Sequence, residues 1–152
     1  MSEEYEPDDK DDLPRDRDAQ ARAALRRQRF YDLVVKAIDA LPPEFKEKLE
    51  NLDVVVVDWP SPFQLGRANI RNRFGLLGLY EGVPQTSRSG SYGMSLPDKI
   101  TIFRKPIEVR CHSWQEIEAE VVRVVRHEIA HHFGIDDHTL RIIENDKRRG
   151  HP

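Results

Sequence analysis

Apolar residues in the first part of the chain recur at steps of three or four, and arginines fill many of the other positions. The recurring apolar residues are Leu25, Tyr31, Val34, Val35 and Ile38. This spacing is the period of an amphipathic helix, so the pattern predicts a helix from Ala19 to Ala40. The run LPP at residues 41–43 should end this helix, because the residue before a proline avoids the α region. We expect a short helical turn to follow at Glu44–Leu49.

Three later segments have patterns that are typical of β-strands. Leu52–Val57 is a continuous β-branched run, which predicts a buried strand. Lys99–Arg104 alternates with a period of two between Pro97 and Pro106, so it is interpreted as a strand, either at an edge where an extended peptide could lie or in the interior. Phe74–Tyr80 is a further candidate strand, in which two glycines allow close backbone approach.

Two other segments differ from these strands. Residues 63–75 fit no single pattern, so no element is assigned to them. Residues 85–95 (QTSRSGSYGMS) are polar and contain glycines, which predicts a loop. A loop of this composition could act as a lid over a site, although most such loops only connect elements.

The longest apolar pattern begins near Ser113. Ser113 and Glu116 have the spacing of a capping box, in which a serine oxygen and a glutamate satisfy free backbone N–H groups. The apolar residues that follow form one wide stripe, which predicts a largely buried helix. The helix should end at Gly134, where a left-handed conformation costs little, and a last short helix is expected at Thr139–Lys147. The stripe consists of Trp114, Ile117, Val121, Val124 and Val125, widened by Val122, Ile129 and Phe133.

Charge is distributed unevenly along the chain. The 152 residues carry a net charge of -3, and residues 1–18 hold nine acids and three bases. This acidic segment has little to bury, so we predict a disordered tail at 1–18 and a single domain at 19–148. The remainder is too weakly basic to indicate nucleic-acid binding.

Composition also suggests where the protein is found. Cys111 is the single cysteine, which excludes a disulfide framework within the chain. The N-terminus lacks the apolar region of a secretion signal, and no apolar run approaches the roughly 18 residues of a membrane helix. We therefore expect a cytoplasmic monomer that does not contact a membrane.

Candidate chemistry lies at the end of the predicted long helix, where residues 127–137 read HEIAHHFGIDD. Positions four apart on a helix lie about 40° apart around its axis, so His127 and His131 can bind one metal ion. Glu128 lies about 100° round from His127, so it can hold the water on the metal's open side as a general base. His132 points about 140° from His127 and is expected to be a packed or hydrogen-bonded histidine.

A metal bound by two histidines needs a third protein ligand. Beyond the glycine at 134 the chain can turn back, and Asp137 follows six residues after the second histidine. A carboxylate oxygen is an acceptable zinc ligand, and two imidazoles favour Zn²⁺ over Mg²⁺ or Ca²⁺. His138 is an alternative to Asp137, or a group that polarises a substrate oxyanion. Glu144 is a more remote candidate ligand, and Asp136 could orient a ligand histidine or cap the last helix.

The sequence HExxHxxGxxD resembles the small zincin-like metallopeptidases sometimes called minimal zincins. The resemblance extends upstream to LLGLYEGVP at 76–84 and PDKITIFRKP at 97–106. It implies an α+β fold in which a sheet of about three to four strands packs on the long metal-bearing helix, with the N-terminal helix beside it. It also implies that His127, His131 and Asp137 bind the metal and that Glu128 is the catalytic base.

The expected function is zinc-dependent hydrolysis of peptide bonds in peptides or unfolded protein segments, by a metal-bound water that Glu128 activates. Tyr80 is a candidate for stabilising the oxyanion. The larger relatives have a histidine at the third ligand position and a methionine turn after it, and this chain has neither. This difference keeps open a metal-stabilised peptide- or protein-binding module, and a metal-dependent ribonuclease is a third alternative that Glu128 argues against.

Overall fold

The computed structural model describes residues 17–46, 49, 52–82 and 98–134 of the chain. These residues form helices and strands in an α+β arrangement, as the resemblance implied. No helix in these ranges is long and apolar enough to cross a membrane. In chain order the elements are α1 (Arg17–Asp39), α2 (Pro43–Lys46), β1 (Leu52–Val57), α3 (Pro62–Ala68), a 3₁₀ helix (Arg73–Gly75), β2 (Gly78–Glu81), β3 (Asp98–Phe103), α4 (Arg104–Arg110) and α5 (Trp114–His132).

The three described strands form one mixed sheet in the order β1-β3-β2. β1 pairs with β3 in parallel, and β2 pairs with β3 in antiparallel fashion. β3 is therefore interior to this sheet, which decides between the two alternatives for residues 99–104. The prediction that Leu52–Val57 is buried is wrong, because no residue of β1 is fully buried. The reason is its place at the edge of the sheet, where no other described strand lies on one side of it.

The two long helices, α1 and α5, pack together and supply most of the core. Phe30 and Val34 of α1 are buried together with Ile117, Val121 and Val125 of α5. The buried residues of α5 belong to the predicted stripe. The stripe predicted for α1 is wrong in part, because Leu25, Tyr31 and Val35 are exposed and the buried face runs through Phe30 and Val34. α1 begins two residues before the predicted start. The buried stripe of α5 holds the helix rigidly against the sheet, which matters for the residues at its C-terminal end.

Residues 104–110 form a helix, α4, which the sequence pattern did not predict. Arg104 was assigned to the preceding strand, and Pro106 was taken as its boundary. A proline is tolerated in the first turn of a helix, since the N–H groups there have no partner within the helix. Arg104 and Glu108 then lie one turn apart, and the guanidinium bonds both carboxylate oxygens at 3.0 Å.

Arg104 is the centre of a buried ionic cluster that joins α4 to β1. Its Nε donates to Asp58 at 2.9 Å, and both Arg104 and Glu108 are 1% exposed. Burial lowers the pKa of Arg104, but the bond to Asp58 and the charges of Glu108 and Asp58 outweigh burial and raise it. The guanidinium therefore stays charged, and it depends on its carboxylate partners.

We expect Glu108→Ala to destabilise the protein by up to about 3–5 kcal/mol, because it leaves a buried guanidinium with only the half-exposed Asp58 as counter-charge. The free energy of unfolding, measured in urea, checks this. Glu118→Ala is a matched control, since it breaks an exposed ion pair with Lys36 and should cost less than about 1 kcal/mol. Equal losses for the two variants would contradict the role of the buried cluster.

Two short helices occupy most of residues 63–75, to which no element was assigned. Ser61 caps α3 by accepting from the backbone N–H of Gln64, whose side chain returns a bond to Ser61. Pro62 occupies the first turn. The candidate strand at 74–80 is correct only in its last part, because residues 73–75 form the 3₁₀ helix and β2 begins at Gly78.

Candidate metal centre

Helix α5 carries the HExxH residues, and both of its ends are set by local sequence. Ser113 caps the N-terminus by accepting from the N–H of Glu116, as predicted. The Glu116 carboxylate accepts from the N–H of His112 rather than from that of Ser113. At the other end Gly134 has a φ of 72° and its N–H donates to the carbonyl of His131 at 2.9 Å. The chain therefore adopts the left-handed conformation two residues after the helix ends, as glycine at this position predicts.

The structure brings His127, Glu128 and His131 together. Their candidate ligand atoms all lie within 4.8 Å of one another. The two imidazole rings are 4.6 Å apart between centroids, and Oε2 of Glu128 lies 3.4 Å from Nδ1 of His131. Glu128 is buried, whereas both histidines are half-buried. The carboxylate thus lies in a poorly solvated place beside two imidazoles that solvent can reach.

This donor set fits a zinc ion. Zinc binds imidazole nitrogens at about 2.0–2.1 Å, so two ligand atoms on a tetrahedral ion are roughly 3.4 Å apart. The candidate ligand atoms of His127 and His131 lie no more than 4.8 Å apart, which is of this order. Two neutral imidazoles leave room for a third protein ligand and for water, which is the composition of a catalytic rather than a structural site.

The three residues face a cleft of about 520 Å³. One wall is α5, with Val124 and the HExxH side chains, and the opposite wall is the segment from Ala68 to Tyr80. Arg110 of α4 and Arg123 of α5 complete the lining. Gly78, Leu79 and Tyr80 of β2 line the cleft, so this strand lies beside the HExxH residues.

Three polar side chains form a contact beneath this cleft that ties the sheet to the end of α5. The Tyr80 hydroxyl donates to Oδ2 of Asp98 at 2.8 Å, and Nδ1 of His132 lies 2.7 Å from the same oxygen. His132 is fully buried, as its direction on the helix predicted, although neither ring nitrogen makes a regular hydrogen bond to a described residue. Tyr80 lines the cleft, but its hydroxyl is engaged by Asp98 rather than directed freely at a substrate.

Asp98 is a residue that sequence reasoning missed. It is 1% exposed and begins β3, and a Cβ at Gly82 would lie within 3.0 Å of its carboxylate. The only signal in the sequence was an acidic residue directly before a predicted strand. Such a residue is common at strand ends and does not indicate a functional role. Its importance comes from pairing in the sheet and packing on α5, and neither is local in sequence.

Gly78 lets β2 approach the metal-bearing helix closely. A Cβ at this position would lie 2.8 Å from Cγ1 of Val124 and 3.1 Å from Cγ of Glu128. The expectation that a glycine in this segment allows close backbone approach is therefore confirmed at Gly78. Any side chain here would push the strand away or rotate Glu128.

We expect Gly78→Ala to destabilise the protein by about 1–3 kcal/mol, because the extra methyl overpacks the contact between β2 and α5. It should also lower activity more than this loss of stability explains, since it displaces Glu128. Thermal unfolding and a peptide cleavage assay below the unfolding temperature separate the two effects. The matched control is Gly66→Ala, since a Cβ at Gly66 meets nothing within 4 Å. Unchanged stability and activity in Gly78→Ala would contradict the close approach.

Several residues named from the sequence lie outside the described ranges. These are Asp136, Asp137, His138 and Glu144 in the C-terminal part, and the whole loop at 85–95. The choice of third ligand between Asp137 and His138 therefore stays a prediction. Cys111 lies in the described part and is buried. Burial, together with nearby Glu120 and Glu116, raises the pKa of its thiol to about 11. The thiol is therefore protonated at neutral pH, and Cys111 acts as a packing residue of the core.

Comparison with known proteins gives a consistent result. No curated protein matches the chain. The sequence model of one family, described as zincin-like metallopeptidase, matches residues 49–146. The match runs from just before β1 through the HExxH helix and on to Asp137. It covers about two thirds of the chain, including the whole sheet and the cleft. The chain therefore belongs to the zincin-like metallopeptidase family.

Proposed function

We propose that the protein is a zinc-dependent peptidase that hydrolyses peptides or unfolded protein segments. The observation that carries the proposal is the placement of His127, Glu128 and His131 together on one wall of an open cleft. The family match supports the same class of activity. His127 and His131 hold the zinc ion, and Asp137 is the third ligand because a carboxylate at this spacing follows a left-handed glycine at 134.

Each protein residue at the centre has a separate part in the reaction. Zinc, when bound, supplies a Lewis acid that polarises the scissile carbonyl and makes water more acidic. Glu128 accepts a proton from the attacking water and donates it to the leaving amine. Burial restricts the Glu128 carboxylate to a few orientations. The close approach of β2 at Gly78 also restricts the Glu128 side chain at its Cγ. The base is thereby aligned before substrate arrives, which avoids reorganisation during the reaction.

The substrate backbone is proposed to bind along β2. Among the described strands β2 pairs only with β3, and none of them lies along its second edge. An extended peptide can add to such an edge by main-chain hydrogen bonds. This arrangement places the peptide across the cleft beside the HExxH residues. It also favours unfolded segments, because a folded substrate does not present an extended backbone.

A peptide library incubated with the zinc-loaded protein tests the proposal. We expect cleavage products by mass spectrometry, loss of cleavage after chelation of the metal, and recovery when zinc is restored. The absence of products from protein that elemental analysis shows to hold stoichiometric zinc would contradict the peptidase. Retention of peptides without cleavage would instead support the binding module.

The third ligand has its own test. Asp137→Asn should lower zinc affinity by more than about tenfold, because it removes an anionic ligand, whereas His138→Ala should leave the affinity unchanged. Zinc affinity measured by competition with a chelator distinguishes them. If His138→Ala lowers zinc affinity and Asp137→Asn does not, His138 is the third ligand.

A further inference from the structure

The cleft beside the HExxH residues carries positive charge. Among its described lining residues, Arg110 and Arg123 are cationic and Glu128 is the single acid. Zinc adds further positive charge when it is bound. A cleft with low-dielectric walls focuses such a field, so charges here act more strongly than on an open surface.

Arg123 lies close to the reaction centre. It precedes His127 by four residues on α5, which places it on nearly the same face and about 6 Å along the helix axis. Its side chain is 54% exposed, and it forms an ion pair with Glu120 that neutralises part of its charge. The guanidinium can therefore reach a substrate group without leaving the helix surface.

Arg110 reaches the cleft from a different element, α4. It is exposed and donates to the carbonyl of Phe74 at 3.3 Å. Within the described part of the chain it has no carboxylate partner, so its charge is not neutralised. The wall that it touches, residues 68–80, contains two arginines outside the cleft lining and no acidic residue.

We propose that this cleft selects substrates with an acidic side chain within about two residues of the scissile bond, and that Arg123 and Arg110 recognise it. The distance follows from the 6 Å offset of Arg123, since an extended chain advances about 3.3 Å per residue. Arginine suits this role because its planar donors match a carboxylate in a bidentate manner. The inference rests on the proposed peptidase function and specifies its substrate class.

Matched peptides test the inference once one cleaved bond has been mapped by mass spectrometry. The two residues on each side of that bond are replaced in turn by Glu, Gln or Lys, and kcat/KM is measured with zinc-loaded protein. At one or more positions we expect the Glu peptide to be cleaved about tenfold faster than the Gln peptide at low ionic strength. The ratio should approach one near 1 M salt, where the Debye length is about 3 Å.

Variants that remove an arginine and a variant that removes its acidic partner should change the Glu-to-Gln ratio in opposite directions. Arg123→Gln and Arg110→Gln should each lower the Glu-to-Gln ratio, and Glu120→Gln should raise it by releasing Arg123 from its ion pair. Arg126→Gln is the matched control, because Arg126 is exposed on the same helix and outside the cleft lining, so its ratio should equal that of wild type. A ratio near one at all positions, a preference for Lys, or a ratio that neither arginine variant changes would overturn the inference.

Failure of the peptidase proposal is recognised separately. If the zinc-loaded protein cleaves none of the peptides, the proposed peptidase function is contradicted. The charge preference is then tested by measuring how tightly the peptides bind. Fluorescence anisotropy of the labelled Glu and Gln peptides with zinc-loaded Glu128→Gln then decides. Tighter binding of the Glu peptides that salt abolishes supports the acidic preference, and equal binding overturns it.

Discussion

Glu128→Gln is expected to keep zinc and to lose peptide hydrolysis. Glutamine has the size and shape of glutamate, so the buried position at 6% exposure should accept it without repacking. It cannot accept a proton, however, and a positioned general base contributes about 10²–10⁴-fold to a rate. We therefore expect kcat to fall by that factor while zinc content and thermal stability stay close to those of wild type.

The control for this variant is Glu118→Gln on the same helix. Glu118 pairs with Lys36 across the contact with α1, and both side chains are exposed. Such a surface pair contributes little to stability, so zinc binding and turnover should be unchanged. If Glu128→Gln cleaves peptides as fast as wild type, Glu128 is not the base. If Glu128→Gln also loses zinc, the Glu128 carboxylate is a metal ligand. Its distance of 3.4 Å from Nδ1 of His131 allows both groups to bind one ion.

His131→Ala is expected to abolish stoichiometric zinc binding and, with it, hydrolysis. Loss of a hydrogen-bonded partner of a metal ligand already costs about 10–100-fold in metal affinity, so loss of a ligand should cost more than about 100-fold. Elemental analysis of the purified protein and competition with a chelator measure this. The half-buried ring of His131 faces the cleft, so its removal should leave the core intact.

His112→Ala serves as the control, because His112 is exposed and precedes α5. It should retain zinc and activity. Because both changes remove one imidazole, the comparison separates a specific ligand from a general effect of histidine content. Full zinc occupancy in His131→Ala would contradict the proposed centre, whatever the activity of that variant.

Local patterns in the sequence predicted the helices that carry the candidate site. The stripe on α5, the serine cap at 113 and the left-handed glycine at 134 depend on neighbours within one or two turns. The spacing of His127 and His131 depends only on helix geometry, so their proximity was also predictable. The match of the family model to residues 49–146 agrees with the resemblance drawn from the same motif.

Prediction was wrong where a residue's environment depends on distant parts of the chain. The β-branched run of β1 looks like an interior strand, but the order of strands in a sheet decides which strand is interior. α4 was missed because Arg104 fitted the alternation of the preceding strand and Pro106 was taken as its boundary, whereas Arg104 begins the helix and pairs with Asp58 from a distant part of the chain. A period of two at 99–104 described the strand correctly and could not show where it stopped.

The sequence alone determined that a buried helix presents two histidines and a glutamate near its end, because each step of that inference is local. Only the tertiary structure decided what those residues face. Pairing of β2 with β3 and the absence of a side chain at Gly78 bring a strand edge against Glu128. The fold also places Arg110 of α4 in the same cleft as Arg123 of α5. These contacts join segments far apart in the chain, and they depend on sheet order and packing rather than on any local pattern.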